Sequence, residues 1–140
     1  MSYALPGSDL PQWLTDLVSP LDDKLGVKVH EISPERCVVS APLAGNTQPT
    51  GLWHGGGSGV LVETAGSLAA MFHAHESGRG AVGTELSVSH LRAPRGERMT
   101  ATATAVHLGR HTTTHVVEIV DDMGRTCAVG RMSCQVVDLR

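Results

Sequence analysis

Residues Gly51 to Ala70 read GLWHGGGSGVLVETAGSLAA, and this stretch decides the fold. A histidine and three glycines, His54-Gly55-Gly56-Gly57, lead into a run with helical spacing. Leu61, Leu68 and Phe72 fall on one stripe, with Ala65 between them, as a buried helix face requires. Glu63 and Ser67 stand one turn apart on another face that continues to Ala70. Glu63 has almost no polar company among the Val, Leu, Ala and Gly of this helix, and that is the strongest functional signal in the chain. The glycines add a second. A helix leaves its first N–H groups unsatisfied and partly positive, and glycine keeps side chains away from them. The helix start at Gly55 is therefore a candidate oxyanion site, with His54 just ahead of it.

Working outward, 140 residues make one domain with a real core, spanning 1–140, with 1–24 as an N-terminal helical lead-in. A net charge of −3 and four aromatic residues argue against a nucleic-acid surface. Residues 1–19 have neither the basic start nor the unbroken apolar run of a signal peptide, and no stretch approaches a membrane span. The expectation is a cytoplasmic protein that binds no membrane. Cys37, Cys127 and Cys134 have no CxxC spacing and sit in apolar or alternating runs, as buried free thiols do. His73 and His75 are the one close histidine pair, and residues two apart on a helix do not face each other, so no metal site is expected.

In the lead-in, Ser8 or Asp9 caps a short helix with Pro11 in its first turn and Leu10, Trp13, Leu14 and Leu17 on one side, ended by Pro20 and Asp22-Asp23. Residues 26–32 and 37–43 alternate around the Ser33-Pro34-Glu35 turn and form a hairpin. The central helix ends near Ser77-Gly78. Four alternating segments follow, 81–92, 99–108, 112–120 and 126–137, and their short connections predict an antiparallel four-strand meander. The fold class is α+β: one long central helix wrapped by an antiparallel sheet of five to six strands. Ala65, Gly66, Ala69 and Ala70 let the helix lie close to that sheet. Its edges need cover, which a second copy supplies, so at least a dimer is expected.

The chemistry narrows by elimination. HGGG is shared with the oxyanion loop of α/β-hydrolases, yet no G-x-S-x-G occurs. There is no phosphate-binding P-loop. Glu85 is the one other acid in an apolar-flanked strand that could partner Glu63 in a paired-carboxylate site. What remains is a lone acid, a helix N-terminus for an oxyanion, and Gln48 and His54 nearby. Those parts suit acyl transfer to water.

The run from Gln48 to Gly56, followed by Glu63-Thr64-Ala65-Gly66-Ser67, resembles the hotdog-fold acyl-CoA thioesterases. The nearest branch holds the phenylacetate-pathway thioesterases, the Glu-dependent 4-hydroxybenzoyl-CoA thioesterases and the proofreading thioesterase of enterobactin synthesis. The similarity continues through residues 82–86, His90-Leu91-Arg92, His107-Leu108-Gly109-Arg110 and residues 121–125. The resemblance implies that Glu63 is the catalytic carboxylate, as nucleophile or general base. It implies that the Gly55 N–H holds the thioester oxygen with Gln48 and His54 in support, and that Ser67 helps place the attacking water. Gly83 and the His90, Leu91, Arg92, Ala93 segment match substrate-contacting positions, while Arg92, Arg110 and His111 suit the phosphates of CoA.

Trp53 departs from the smaller residues frequent in that family and either lines the acyl pocket or belongs to the core. The implied substrate is an acyl-CoA or acyl-carrier-protein thioester, with CoA part of the substrate and no bound cofactor. The implied assembly is a homo-oligomer, a dimer or a dimer of dimers that shares each site between two chains. Two rivals on the same fold are an acyl thioester dehydratase or hydratase, using a histidine and an acid, and a non-catalytic acyl-CoA-binding module.

Overall fold

In the computed structural model, which describes Tyr3 and residues 9–140, one long helix lies across one six-stranded antiparallel sheet. In chain order the elements are α1 (Gln12–Thr15), α2 (Pro20–Leu25), β1 (Lys28–Ile32), β2 (Arg36–Pro42), α3 (Gly55–His75), β3 (Arg79–His90), β4 (Arg98–Leu108), β5 (Thr112–Val120) and β6 (Thr126–Asp138). Helix α3 is the one the 51–70 stretch predicts. Its stripe residues Leu61, Ala65 and Leu68 are buried, and Phe72 packs edge-on against Trp13 of α1. Close approach to the sheet needs the small residues: a Cβ on Gly66 would stand 2.5 Å from Met132 Cβ. Neither atom is a flexible end, so a methyl there would cost about 1–3 kcal/mol.

The lead-in differs from its sequence reading. Pro11 is the N-cap of α1 without a side-chain cap bond, and Ser8 lies outside the described residues. Pro20 does not end a helix but opens α2, where its fixed φ suits the first turn and Asp22-Asp23 face the positive helix end. The three cysteines are buried and free.

The sheet order is β1-β2-β4-β5-β6-β3, so the four-strand meander is corrected. Strands β4, β5 and β6 do pair in sequence, and β1 and β2 form the expected hairpin. Strand β3 instead pairs with β6 at the sheet edge, while β4 inserts between β2 and β5. The cause is the connection over residues 91–97. It runs beneath the β5–β6 turn, where Arg95 N–H donates to Asp121 and Asp122 N–H to the Arg95 carbonyl, and so carries the chain past that hairpin. Length alone could not separate a tight turn from this crossover. Among the described residues the outer edge of β3 is unpaired, with Val82 and Leu86 exposed.

Candidate active site

The loop ahead of α3 is tied down residue by residue. Asn46 Nδ2 donates to the carbonyls of Leu25 and Pro42, the Asn46 carbonyl accepts the His54 N–H, and Thr47 bridges Trp53. His54 then N-caps the helix: its Nδ1 accepts the Gly56 N–H at 2.8 Å, and its carbonyl accepts the Gly57 N–H at 2.8 Å. Neither bond uses the Gly55 N–H, the first of the helix. His90, at the end of β3, lies across Gly55 and donates from Nε2 to its carbonyl at 3.2 Å. A Cβ on Gly55 would stand 2.9 Å from the His90 ring, so glycine is what admits the imidazole. His54, Gly55 and His90 therefore meet at the helix start.

Trp53 is buried with its ring against Gly57, and its indole N–H donates to Ser58 Oγ at 2.8 Å. It braces the first turn of α3. Gln48 folds back on its own loop, its Oε1 accepting the Thr50 hydroxyl at 2.8 Å.

Glu63 is exposed on the side of α3 that carries Val60, Ser67 and Met71. This side floors a cavity of about 360 Å³, walled from the lead-in by Leu17, Val18, Leu21 and Asp22. Gly83 of β3 faces the acid, since a Cβ there would stand 3.4 Å from Glu63 Oε1. Ser67, one turn on, has its hydroxyl 4.0 Å from Cys134 Sγ. Burial raises the Cys134 thiol's pKa, so that sulfur is a neutral floor. Glu63, Gly83 and Ser67 thus form a second group. It stands about two turns from Gly55, roughly 12 Å of rise, so one chain does not bring the two groups together.

The thioesterase superfamily model matches residues 50–128. Proofreading thioesterase EntH of Cronobacter turicensis is 35% identical over 121 residues, 86% of this chain and 88% of that protein. Among solved structures, thioesterase HI1161 of Haemophilus influenzae has a TM-score of 0.79 at 32% identity, covering 85% of this chain and 83% of its own. A variant of thioesterase PA1618 of Pseudomonas aeruginosa reaches 0.79 at 36% identity, covering 85% and 86%. The chain belongs to the thioesterase superfamily. Its helix and sheet are the hotdog fold, and its class of reaction is thioester hydrolysis.

Within this thioesterase the remaining sequence-derived positions separate. Leu91, Arg92 and Ala93 are exposed beyond β3, and the Cys127 carbonyl accepts the N–H groups of Leu91 and Arg92. Arg110 and His111 lie at the opposite end of α3, where His73 Nε2 donates to the Gly109 carbonyl and Arg79 to the Arg110 carbonyl. That is roughly 27 Å of helix from Gly55. Glu85, the other candidate acid, pairs with Arg131 at 2.9 Å.

Sequence reasoning missed Asp22. Its buried carboxylate shares the Glu63 cavity and accepts hydroxyl bonds from Thr64 at 2.8 Å, Ser19 at 2.8 Å and Tyr3. Nothing in the 20–25 stretch marks it, because its partners come from three separate parts of the chain.

Proposed function

We propose that the chain hydrolyses acyl thioesters of CoA or an acyl carrier protein, with Glu63 as general base. The observation that supports it best is Glu63 itself, an exposed carboxylate on the floor of an apolar-walled cavity, with the side-chain-free Gly83 facing it. A cavity of 360 Å³ is more than twice the roughly 150 Å³ that encloses one benzene ring, which suits aromatic or medium-chain acyl groups.

In this reading Glu63 takes a proton from water held near Ser67, and the hydroxide adds to the carbonyl carbon. The oxyanion is held by the Gly55 N–H, which neither bond of the His54 cap uses. The carbon–sulfur bond then breaks, and the thiolate leaves with the proton from Glu63. General-base help of this kind is worth about 10²–10⁴ in rate. Because Gly55 and Glu63 are too far apart in one chain, each site takes Gln48 and Gly55 from one subunit and Glu63 from its neighbour in a homodimer. The unpaired edge of β3 offers a surface for that pairing. Arg92, Arg110 and His111 serve the phosphates of CoA, and His90 is placed to hydrogen-bond a ring hydroxyl of an aromatic acyl group.

A hydratase would need a histidine free to move protons beside Glu63. His54 Nδ1 is occupied by the Gly56 N–H, and that favours hydrolysis. Release of free thiol from a panel of acyl-CoAs tests the reading. No release from any of them, with acyl-CoA still bound, would point instead to a binding module.

A further inference from the structure

The residues that follow β3 present a contradiction. Leu91, Arg92 and Ala93 are exposed, Leu91 by 55%, so burial does not order them. Exposed connections are mobile by default. Yet from Leu91 to Arg95 this one is bonded to the β5–β6 turn and the first residues of β6. Cys127 accepts from the amides of Leu91 at 2.8 Å and Arg92 at 3.3 Å. Arg125 Nη2 donates to the Ala93 carbonyl at 3.3 Å, and Asp121 Oδ2 accepts the Arg95 N–H at 2.9 Å.

Asp121 anchors the arrangement. It is buried, and Arg125 grips its Oδ2 through Nε at 3.0 Å and Nη2 at 2.6 Å. Its other oxygen accepts the N–H groups of Met123 and Arg125. Desolvation opposes its charge, and the bonds from the Arg95 amide and the Arg125 guanidinium outweigh that, holding the carboxyl well below the usual range. Asp122 adds bonds to the Glu97 and Arg98 amides. A planar guanidinium that sets two N–H groups on one carboxylate oxygen while Nη2 also reaches a carbonyl is a task lysine's single ammonium cannot do in the same geometry.

We propose that the Asp121–Arg125 pair is a positioning latch, which fixes the His90–Ala93 segment for substrate from outside the site. It rests on the reading that this segment contacts the thioester substrate. Neither latch residue touches substrate. Each acts through backbone, by holding the strand end that lays His90 across Gly55.

Arg125→Lys keeps a cation beside Asp121 but gives up the bond to Ala93, and Arg125→Ala gives up both. The variants are compared with the parent by amide exchange of residues 91–93, by the Kd of a non-hydrolysable acyl-CoA thioether, and by kcat. Arg125→Lys should speed exchange and weaken thioether binding by about tenfold, the worth of one good hydrogen bond, with kcat within twofold and Tm nearly unchanged. Arg125→Ala should go further in both. Unchanged exchange in both variants, or faster exchange with unchanged Kd, overturns the latch. So does a parallel loss of Kd, kcat and Tm, which is general destabilisation. If the parent binds the thioether but releases no thiol from acyl-CoA, the hydrolytic reading fails, while exchange and Kd still decide the latch.

Discussion

Gly83 lies against the carboxylate of Glu63, and the two come from different elements, β3 and α3. A methyl at Gly83 would stand 3.4 Å from Glu63 Oε1 and 2.5 Å from Met132 Cε. The methionine end is flexible and can move aside, so Gly83→Ala should cost only about 1 kcal/mol of stability. If Glu63 is the base, water and carbonyl must fit beside it, so kcat/KM should fall about tenfold or more. Full activity in a well-folded variant would show that this space is not used.

Glu63→Gln keeps the shape and removes the base. Because Glu63 is exposed, the fold has little stake in its charge. The expected loss in kcat is about 10²–10⁴ with Tm and substrate affinity near those of the parent. Retention of most kcat would reject Glu63 as the base. A single turnover in ¹⁸O-water tests the covalent route: general-base action labels only the product acid, so label found in Glu63 shows an anhydride opened by water at the Glu63 carbonyl.

Much of this was legible in the chain because it is local. The glycine start, the apolar stripe and Glu63 all lie within one helix, and a helix reports its faces through sequence spacing. Strands β4, β5 and β6 were legible for the same reason, since short turns join neighbours. The place of β3 was not, because it depends on bonds from the 91–97 connection to Asp121 and Arg125, remote in sequence. Asp22 was invisible on the same ground. Trp53 was readable as either pocket or core, and only its contact with Gly57 and Ser58 places it on the helix start.

His115 gives a pH prediction independent of catalysis. It is fully buried in β5, its Nε2 donating to the Pro34 carbonyl at 2.8 Å and its Nδ1 without a partner among the described residues. Desolvation lowers its pKa; the bond to Pro34 opposes this, and His73 adds to the lowering. The folded state therefore takes up its proton at lower pH than the unfolded chain does. Stability from this group is intact above about pH 6.5 and is lost as pH falls below it. His115→Gln should flatten the fall in unfolding free energy between about pH 7 and 5 in urea titrations. An unchanged slope would show that another group carries it.

Arg110→Ala addresses the far end of α3. If the guanidinium meets the phosphates of CoA, its loss is uniform binding: KM rises and kcat holds. The rise should be about tenfold for acyl-CoA and absent for a truncated thioester without the nucleotide. Equal effects on both substrates would remove Arg110 from the nucleotide.

The shared site is tested by complementation. Gln48 and Gly55 precede or open α3, Glu63 lies two turns along it, and Gln48 turns its side chain to Thr50 rather than to the acid. A second chain running alongside would place one subunit's Glu63 at the other's helix start. Gln48→Ala and Glu63→Ala should each be nearly inactive alone. Mixed and re-formed at equal amounts, half the dimers would pair one variant with the other. Each mixed dimer would hold one doubly altered site and one intact site, so activity should recover to about a quarter of the parent's. A mixture that exchanges subunits, shown by mass, yet stays as inactive as its components would place the whole site within one chain. The 12 Å between Gly55 and Glu63 would then have to be closed by the substrate or by movement of the helix start.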